Sequence, residues 1–288
     1  MYLLRRLLRT CLSCLMAVSV TLSCFFCCNA VYVRAQARHI SRQQQELDRI
    51  YHEAQPDGSS GPEDFAALDP RLAALAAINP DLVGWLELGG EEGFSAPVVQ
   101  RDNDYYLRHD FYGREDRHGA VFLDYRCETD PNGDSLILYG HNMNDGAWFN
   151  YLVNYQDPAF VAEHPLITFD TLSEAGQYAV IGVFVAATLP QHGDDFDYHN
   201  RVAFQVIEEK EDYLARVARR SLITTGVDVT VRDELLTLST CLYDFAGERL
   251  VVVARRLREG ESPAAFASLP VARAANPEMP AIWQQLYG

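Results

Sequence analysis

Lysine is almost absent from this chain: Lys210 is the only one in 288 residues, and it stands inside the acidic run Glu208-Glu209-Lys210-Glu211-Asp212. That argues against a Ser–Lys dyad and against Schiff-base chemistry, both of which need a reactive amine. Cysteine is scarce where it would matter for folding. Of 7 cysteines, Cys11, Cys14, Cys24, Cys27 and Cys28 fall in an apolar N-terminal stretch, leaving Cys127 and Cys241 for the body. Two are too few for a disulfide framework. The Cys11/Cys14 and Cys24/Cys27 pairs imitate metal-ligand spacing. They lack histidines or polar neighbours and read as small apolar residues. Acidic residues are missing from the first 42 positions, which carry six arginines; the net charge of −16 therefore becomes −22 for the remainder. A body that acidic repels phosphate backbones, so no nucleic-acid partner is expected.

What is present at the N-terminus is a run of 24 uncharged residues, Thr10 to Val33, preceded by Arg5, Arg6 and Arg9. A cleavable signal has an apolar core of about 7–15 residues, whereas a spanning helix needs about 20. The length favours an uncleaved, single-pass membrane anchor, although Ala35-Gln36-Ala37 has the form of a cleavage site. Thr21-Leu22-Ser23-Cys24 is a poor lipobox. Basic residues flank the run on both sides, which blurs the charge rule for orientation.

Four segments are expected: 1–34 as the anchor with a basic cytoplasmic end, 35–62 as a helical stalk and linker, 63–258 as a catalytic domain, and 259–288 as a C-terminal extension. The linker is signalled by Gln55-Pro56-Asp57-Gly58-Ser59-Ser60-Gly61-Pro62. Residues 63–78 have helical periodicity through Phe65, Leu68, Leu72, Leu75 and Ile78, closed by Asn79-Pro80. Eight short β-like runs then follow: Val83–Leu88, Ala96–Gln100, Ala120–Asp124, Ser135–Tyr139, Leu166–Phe169, Tyr178–Ala187, Leu235–Thr240 and Leu250–Arg255. Short strands punctuated by turns predict a closed or sandwiched sheet rather than β-α-β units. A long helical pattern interrupts them at Val202–Ser221, and short helices are expected at Asp104–His109, Ala147–Asn154 and Pro158–Glu163. The Pro-rich tail beyond Pro263 reads as a loosely helical flap.

Two segments carry chemistry. In Leu136-Ile137-Leu138-Tyr139-Gly140-His141-Asn142-Met143 an apolar strand ends at an imidazole. In Thr237-Leu238-Ser239-Thr240-Cys241 a second strand ends at a thiol, and the next begins at Arg249. Antiparallel strands joined by a short loop would set Cys241 and Arg249 at one rim. A thiol, an imidazole and a guanidinium gathered there can perform acyl transfer.

With these motifs the chain resembles the sortases, and among them the class B type. The Tyr-Gly-His-Asn-Met and Thr-Leu-Ser-Thr-Cys segments and the seven residues between Cys241 and Arg249 carry the likeness. So do Asn79-Pro80-Asp81-Leu82-Val83-Gly84-Trp85, Pro97-Val98-Val99-Gln100, the segment from Asp102 to Phe111, and Gly119-Ala120-Val121-Phe122-Leu123-Asp124. The likeness spans about residues 65–257; the tail beyond 258 and the acidic loop 192–199 fall outside it. It implies a mostly β fold with peripheral helices, a sortase-type closed β-barrel with an N-terminal helical extension and a long helix inserted before the Cys-bearing strand. It also implies a transpeptidase that cleaves an LPxTG- or NPxTG-like sorting signal after threonine through a thioester. The partners implied are surface proteins or pilins that bear the signal, with a peptidoglycan amine or a pilin lysine as acceptor. The implied roles are Cys241 as nucleophile, His141 as acid/base and Arg249 as oxyanion partner, with Asn103, Leu107 and Ser239 in the substrate groove. No metal or cofactor is called for, and the body would lie outside the cell membrane.

Plainer readings stand beside these. An isolated strand cysteine is usually a buried small hydrophobe, a Gly-His turn is usually only a turn, and Arg249 could be a rim salt bridge. Arg255 is its rival, six positions further along the strand. Cys127 reads as incidental in a polar loop. Tyr105-Tyr106 and Trp148-Phe149 could line a groove but suit a core. The loop His192-Gly193-Asp194-Asp195-Phe196-Asp197-Tyr198-His199 offers carboxylates and imidazoles to a cation without the alternation of a calcium loop. Two other functions are compatible with the same residues: a purely hydrolytic membrane-anchored cysteine protease, and a non-catalytic scaffold on the same fold.

Overall fold

The computed structural model describes residues 2–53, 69–90, 93–129, 133–143 and 148–287. The turn at 55–62, and Phe65 and Leu68 of the expected helix, lie outside them. The chain divides into two units, Met1–Gln43 and Gln44–Gly288. The first is one continuous helix, part of α1 (Tyr2–Glu53). Its apolar side chains from Leu15 to Val33, Phe25 and Phe26 among them, stand exposed, whereas Ile40 is buried. From Leu15 onward α1 contains an apolar stretch, of mean hydropathy 1.8, that is able by length and composition to cross a membrane.

In the second unit the last turns of α1 contribute Leu47 and Tyr51 to a buried cluster, where Tyr51 stacks on Trp85 at 4.2 Å between ring centroids. Helix α2 (Pro70–Ala76) joins that cluster through Leu72 and Leu75. It starts where it does because Asp69 caps the Arg71 amide and Pro70 occupies the first turn, where no amide is lost.

All eight expected strands form. They are β1 (Leu82–Leu88), β2 (Phe94–Val99), β3 (Val121–Leu123), β4 (Ser135–Tyr139), β5 (Leu166–Thr171), β6 (Gln177–Ala187), β8 (Leu235–Cys241) and β9 (Glu248–Arg256). They close into a barrel in the order β1-β2-β3-β4-β8-β9-β6-β5. The pairs β2–β3 and β4–β8 are parallel; the rest are antiparallel. Helix α3 (Pro158–Glu163) matches its expected bounds. The other two short helices are single 3-10 segments, Tyr105–Leu107 and Phe149–Gln156.

The long helix, α4 (Ile207–Arg220), starts later than its sequence pattern implies. Tyr213 and Val217, four residues apart on one face, pack on Phe184, Phe196, Tyr198, Leu235, Val251 and Val253. Glu208 and Glu209 open the helix and Arg219 and Arg220 close it, which suits its dipole. The only lysine is not solvated on this helix as its acidic neighbours suggest. Lys210 is buried, its ammonium 5.3 Å from the Phe204 ring centre, and burial lowers its pKa.

Two short strands escaped the sequence reading: β7 (Ile223–Thr225) pairs antiparallel with β10 (Val271–Arg273). The tail is therefore not merely a helical flap, though it holds α5 (Pro263–Phe266) and α6 (Ala281–Tyr287). Its root is a buried fork. Arg255, 1% exposed, donates from Nη1 and Nη2 to Glu261 at 2.6 and 2.8 Å, with Phe266 against its guanidinium. The Arg255 hydrogen bonds hold the Glu261 carboxyl below its usual range. A depressed carboxyl pKa stabilises the fold above the unfolded value, about 4.3, and that contribution is lost as pH falls through the folded value. Glu261→Gln is thus expected to melt several degrees below the parent at pH 7, with the gap narrowing as pH falls below the usual carboxylate range. A gap that stays constant in thermal melts across this range would contradict the ion pair's role.

Candidate active site

Cys241 is the last residue of β8 and pairs directly with Arg249 on β9. The next residue, Leu242, donates its amide to the Glu248 carbonyl. The Cys241–Arg249 pair is therefore the non-hydrogen-bonded kind, with side chains on one face and Cα atoms about 4.5 Å apart. The same face of β8 carries Thr237 and Ser239, because side chains alternate. Both are roofed by tyrosine hydroxyls: Tyr213 lies 3.4 Å from Thr237 Oγ1, and Tyr198 lies 2.8 Å from Ser239 Oγ. The roof stops before Cys241, which is half-exposed. Burial pushes the Tyr198 phenol up to about 12, so it stays a neutral partner for Ser239.

A cavity of about 290 Å³ opens at this point, lined by Cys241, His141 and Arg249 together with Asn103, Leu107 and Ser239. Every site residue expected from the sequence thus faces one space. His141 reaches it because β4 runs parallel to β8 in register up to Tyr139↔Ser239, so the two strands end side by side. Gly140 is required at that exit, since a Cβ there would sit 2.7 Å from the Phe149 ring. His141 Nε2 donates to the Leu107 carbonyl at 2.9 Å, which orients the ring and leaves Nδ1 to exchange protons. Arg249 donates from Nη1 to the carbonyl oxygen of Glu248 at 2.9 Å. Among the described residues no carboxylate lies within ion-pair distance of it, so it is not the salt bridge of the plainer reading.

Asn103 lines the cavity, but its amide is partly committed. Nδ2 donates to Asp124 at 3.0 Å, and Oδ1 accepts from the Tyr125 amide at 3.1 Å. Burial pushes the Asp124 carboxyl up, but hydrogen bonds from Arg126 and Asn103 outweigh it and leave it below the usual range. The ionised Asp124 also accepts from the Tyr139 hydroxyl at 3.1 Å, bracing a second cavity wall. Arg126 extends the brace to the far loop, donating to the His199 carbonyl and the Asn200 side chain at 2.7 and 2.6 Å.

Tyr198, His199, Thr188 and Phe122 also line the cavity and were not singled out as site residues from the sequence. The loop weighed as a cation site supplies the first two. Its Asp194 is bound to the Arg220 guanidinium at 2.6 Å, and His199 Nε2 lies 3.0 Å from Asp197. No group of three or more residues placed to hold a metal occurs among the described residues. Tyr106, Trp148 and Phe149 are core residues rather than groove walls. Cys127 is buried rather than loosely placed in a polar loop, and burial pushes its thiol up to about 12.

A half-exposed thiol, an oriented imidazole and a guanidinium with no carboxylate partner among the described residues share one cavity and match the requirements of acyl transfer. The sequence model of the Sortase domain matches residues 92–257. The chain belongs to the sortase family. Sortase B of Staphylococcus aureus is 33% identical over 192 residues, covering 66% of this chain and 75% of the relative. Sortase B of Listeria monocytogenes is 35% identical over 184 residues, covering 63% and 72%. The Staphylococcus aureus sortase B–substrate complex superposes with a TM-score of 0.64 at 29% identity, covering 79% of this chain and 98% of that one. The barrel with its inserted helix is that of a class B sortase, and the protein is a cysteine transpeptidase.

Proposed function

We propose that this sortase cleaves an LPxTG- or NPxTG-like sorting signal between threonine and glycine and passes the acyl group to an amine. In this reading the Cys241 thiolate attacks the threonine carbonyl, and Arg249 holds the oxyanion that forms. Protonated His141 then gives its proton to the departing glycine amine as the C–N bond breaks, leaving a thioester. An acceptor amine attacks the thioester, Cys241 leaves as thiolate, and the imidazole takes the amine's proton. No electrons change hands, and no cofactor is needed. The observation that carries the reading is the Cys241–Arg249 strand pair, with an arginine that no carboxylate among the described residues neutralises, at the rim that also holds His141.

Residues 63–258 form the catalytic domain in this proposal. Residues 1–34 tether it, with the body outside the membrane, where surface proteins or pilins and a peptidoglycan amine or pilin lysine would meet. The apolar stretch of α1 supports the tether, since it is long enough to span. Asn103, Leu107 and Ser239 would flank the bound signal, as their place in the cavity supports.

Detergent-solubilised full-length protein incubated with LPxTG and NPxTG peptides tests the proposal, with and without triglycine as the amine. The expected result is a peptide–triglycine conjugate at the threonine. Hydrolysis alone, undiminished by amine, would make it a protease. Intact peptide throughout would make it a scaffold.

A further inference from the structure

The turn that presents His141 is tied to the Cys241 strand on both of its sides. Upstream, the Gly140 amide donates to the Ser239 carbonyl at 3.3 Å, and the Gly140 carbonyl accepts from Thr240 Oγ1 at 2.7 Å. There the parallel ladder ends, because the chain turns away at His141. Cys241 belongs to a non-hydrogen-bonded pair with β9, so its carbonyl points back toward β4, where no strand remains to meet it. The side chain of Asn142 fills that gap, donating from Nδ2 to the Cys241 carbonyl at 2.9 Å. The Cys241 carbonyl can only accept, which fixes the amide's orientation, and Asn142 Oδ1 then accepts from Asn150 Nδ2 at 2.8 Å. Asn142 is 6% exposed, so water does not compete for these bonds. Its own carbonyl accepts from the Tyr243 hydroxyl, two residues beyond the thiol. The side chain and the carbonyl of Asn142 therefore hold Cys241 itself and Tyr243 two residues beyond it, directly next to His141 in the chain.

We propose that Asn142 is a positioning residue that fixes the His141 imidazole against the Cys241 thiol. This rests on the catalytic roles given to those two residues above. Asn142 does not line the cavity and touches no reacting atom. It replaces the missing rung of the β4–β8 ladder and so sets the separation of the two strand ends. Losing it would let the His141 turn drift, and a misplacement of about 1 Å can cost about 10² in rate.

The experiment uses the full-length protein with Asn142→Ala, Asn142→Asp and Asn150→Ala. Three quantities are read: steady-state cleavage of a sorting peptide, iodoacetamide alkylation of Cys241 from pH 5 to 9 without substrate, and thermal melting. Asn142→Ala is expected to lower kcat by about 10–100-fold with KM within about twofold. Its alkylation profile should shift relative to the parent as the thiol and imidazole uncouple. In Asn142→Asp a carboxylate faces the Cys241 carbonyl at neutral pH, acceptor against acceptor. Protonation in acid restores a donor, so its rate relative to the parent should rise as pH is lowered. Asn150→Ala should give a smaller loss of the same kind. A lower melting temperature with unchanged kcat and unchanged alkylation profile in the folded fraction would overturn the proposal and leave Asn142 merely structural. So would an Asn142→Asp defect independent of pH. Cleavage retained by Cys241→Ala is a separate outcome, which would remove the catalytic reading beneath it.

Discussion

The Cys241→Ala variant is expected to form no covalent adduct with a sorting peptide and to lose turnover by at least about 10⁴-fold, because a nucleophile and its base act as a unit. The loss should come without loss of fold. Cys241 is half-exposed at the end of its strand, and the alanine replaces a side chain that fills no core space. The one other body thiol cannot substitute. Cys127 is buried, its Sγ donates to the Ser135 carbonyl at 3.5 Å, and its pKa stands near 12. At pH 7 such a thiol stays protonated, and the thiolate is the reactive form. Mass spectrometry of the trapped enzyme decides the matter. A peptide adduct that survives on the alanine variant, or one that maps to Cys127, would disprove the assignment of the nucleophile.

The second large effect separates two arginines on one strand. Arg249 faces Cys241, whereas Arg255 faces Leu235, six residues away. At about 3.3 Å per residue that is about 20 Å down the barrel, too far to touch an oxyanion at the rim. Removing one oxyanion donor typically costs about 10²–10³ in turnover, and Arg249→Ala is expected to fall in that range. Arg249→Lys should recover only part of it, since an ammonium keeps the charge but loses the planar fork. From the sequence, Arg255 reads as the idle rival, whose loss should leave the protein close to the parent. Its burial changes that. Breaking a fully buried pair costs about 3–5 kcal/mol, whereas Glu261 would keep the Arg258 amide at 2.8 Å and the Arg258 guanidinium at 3.9 Å. Glu261 is also partly open to water, so the lower end of that range applies. Arg255→Ala is therefore expected to melt at a lower temperature while keeping near-parental kcat in its folded fraction. Fluorogenic peptide cleavage and thermal melting, run together on both variants, test this. An equal loss of kcat per folded molecule at both positions would refute the division of roles.

Much of this protein was legible in the order of its residues. The eight barrel strands follow from short apolar and β-branched runs cut by turn residues, and that pattern is local. The termini of β4 and β8 were equally visible, because a strand that stops at Gly-His or at Cys marks itself. The motif spacing then brought Cys241 and Arg249 to one rim, since a short loop between antiparallel strands allows little else. Helix ends were read less well. Val202–Ser221 looks helical throughout, but Phe204 is drawn into the α4 contact cluster, and the helix begins only at Ile207.

Contacts between distant segments decided the rest. The parallel pairing of β4 with β8 sets His141 beside Cys241 across 100 residues, and no window of sequence encodes a parallel register. Tyr198 and His199 enter the cavity because α4 and its leading loop fold over β8, so residues that resembled a cation loop became walls. Strands β7 and β10 exist only as each other's partner, and neither three-residue segment carries a signal of its own. Lys210 and Cys127 stand among polar neighbours in the sequence yet lie buried, as does the charged Arg255, because what surrounds a side chain is set by the packed layers above it. Composition and alternation are properties of neighbours along the chain and were enough for the strands and the motif. Burial, ion pairing and the cavity's walls depend on neighbours across it, and only the folded chain settled them.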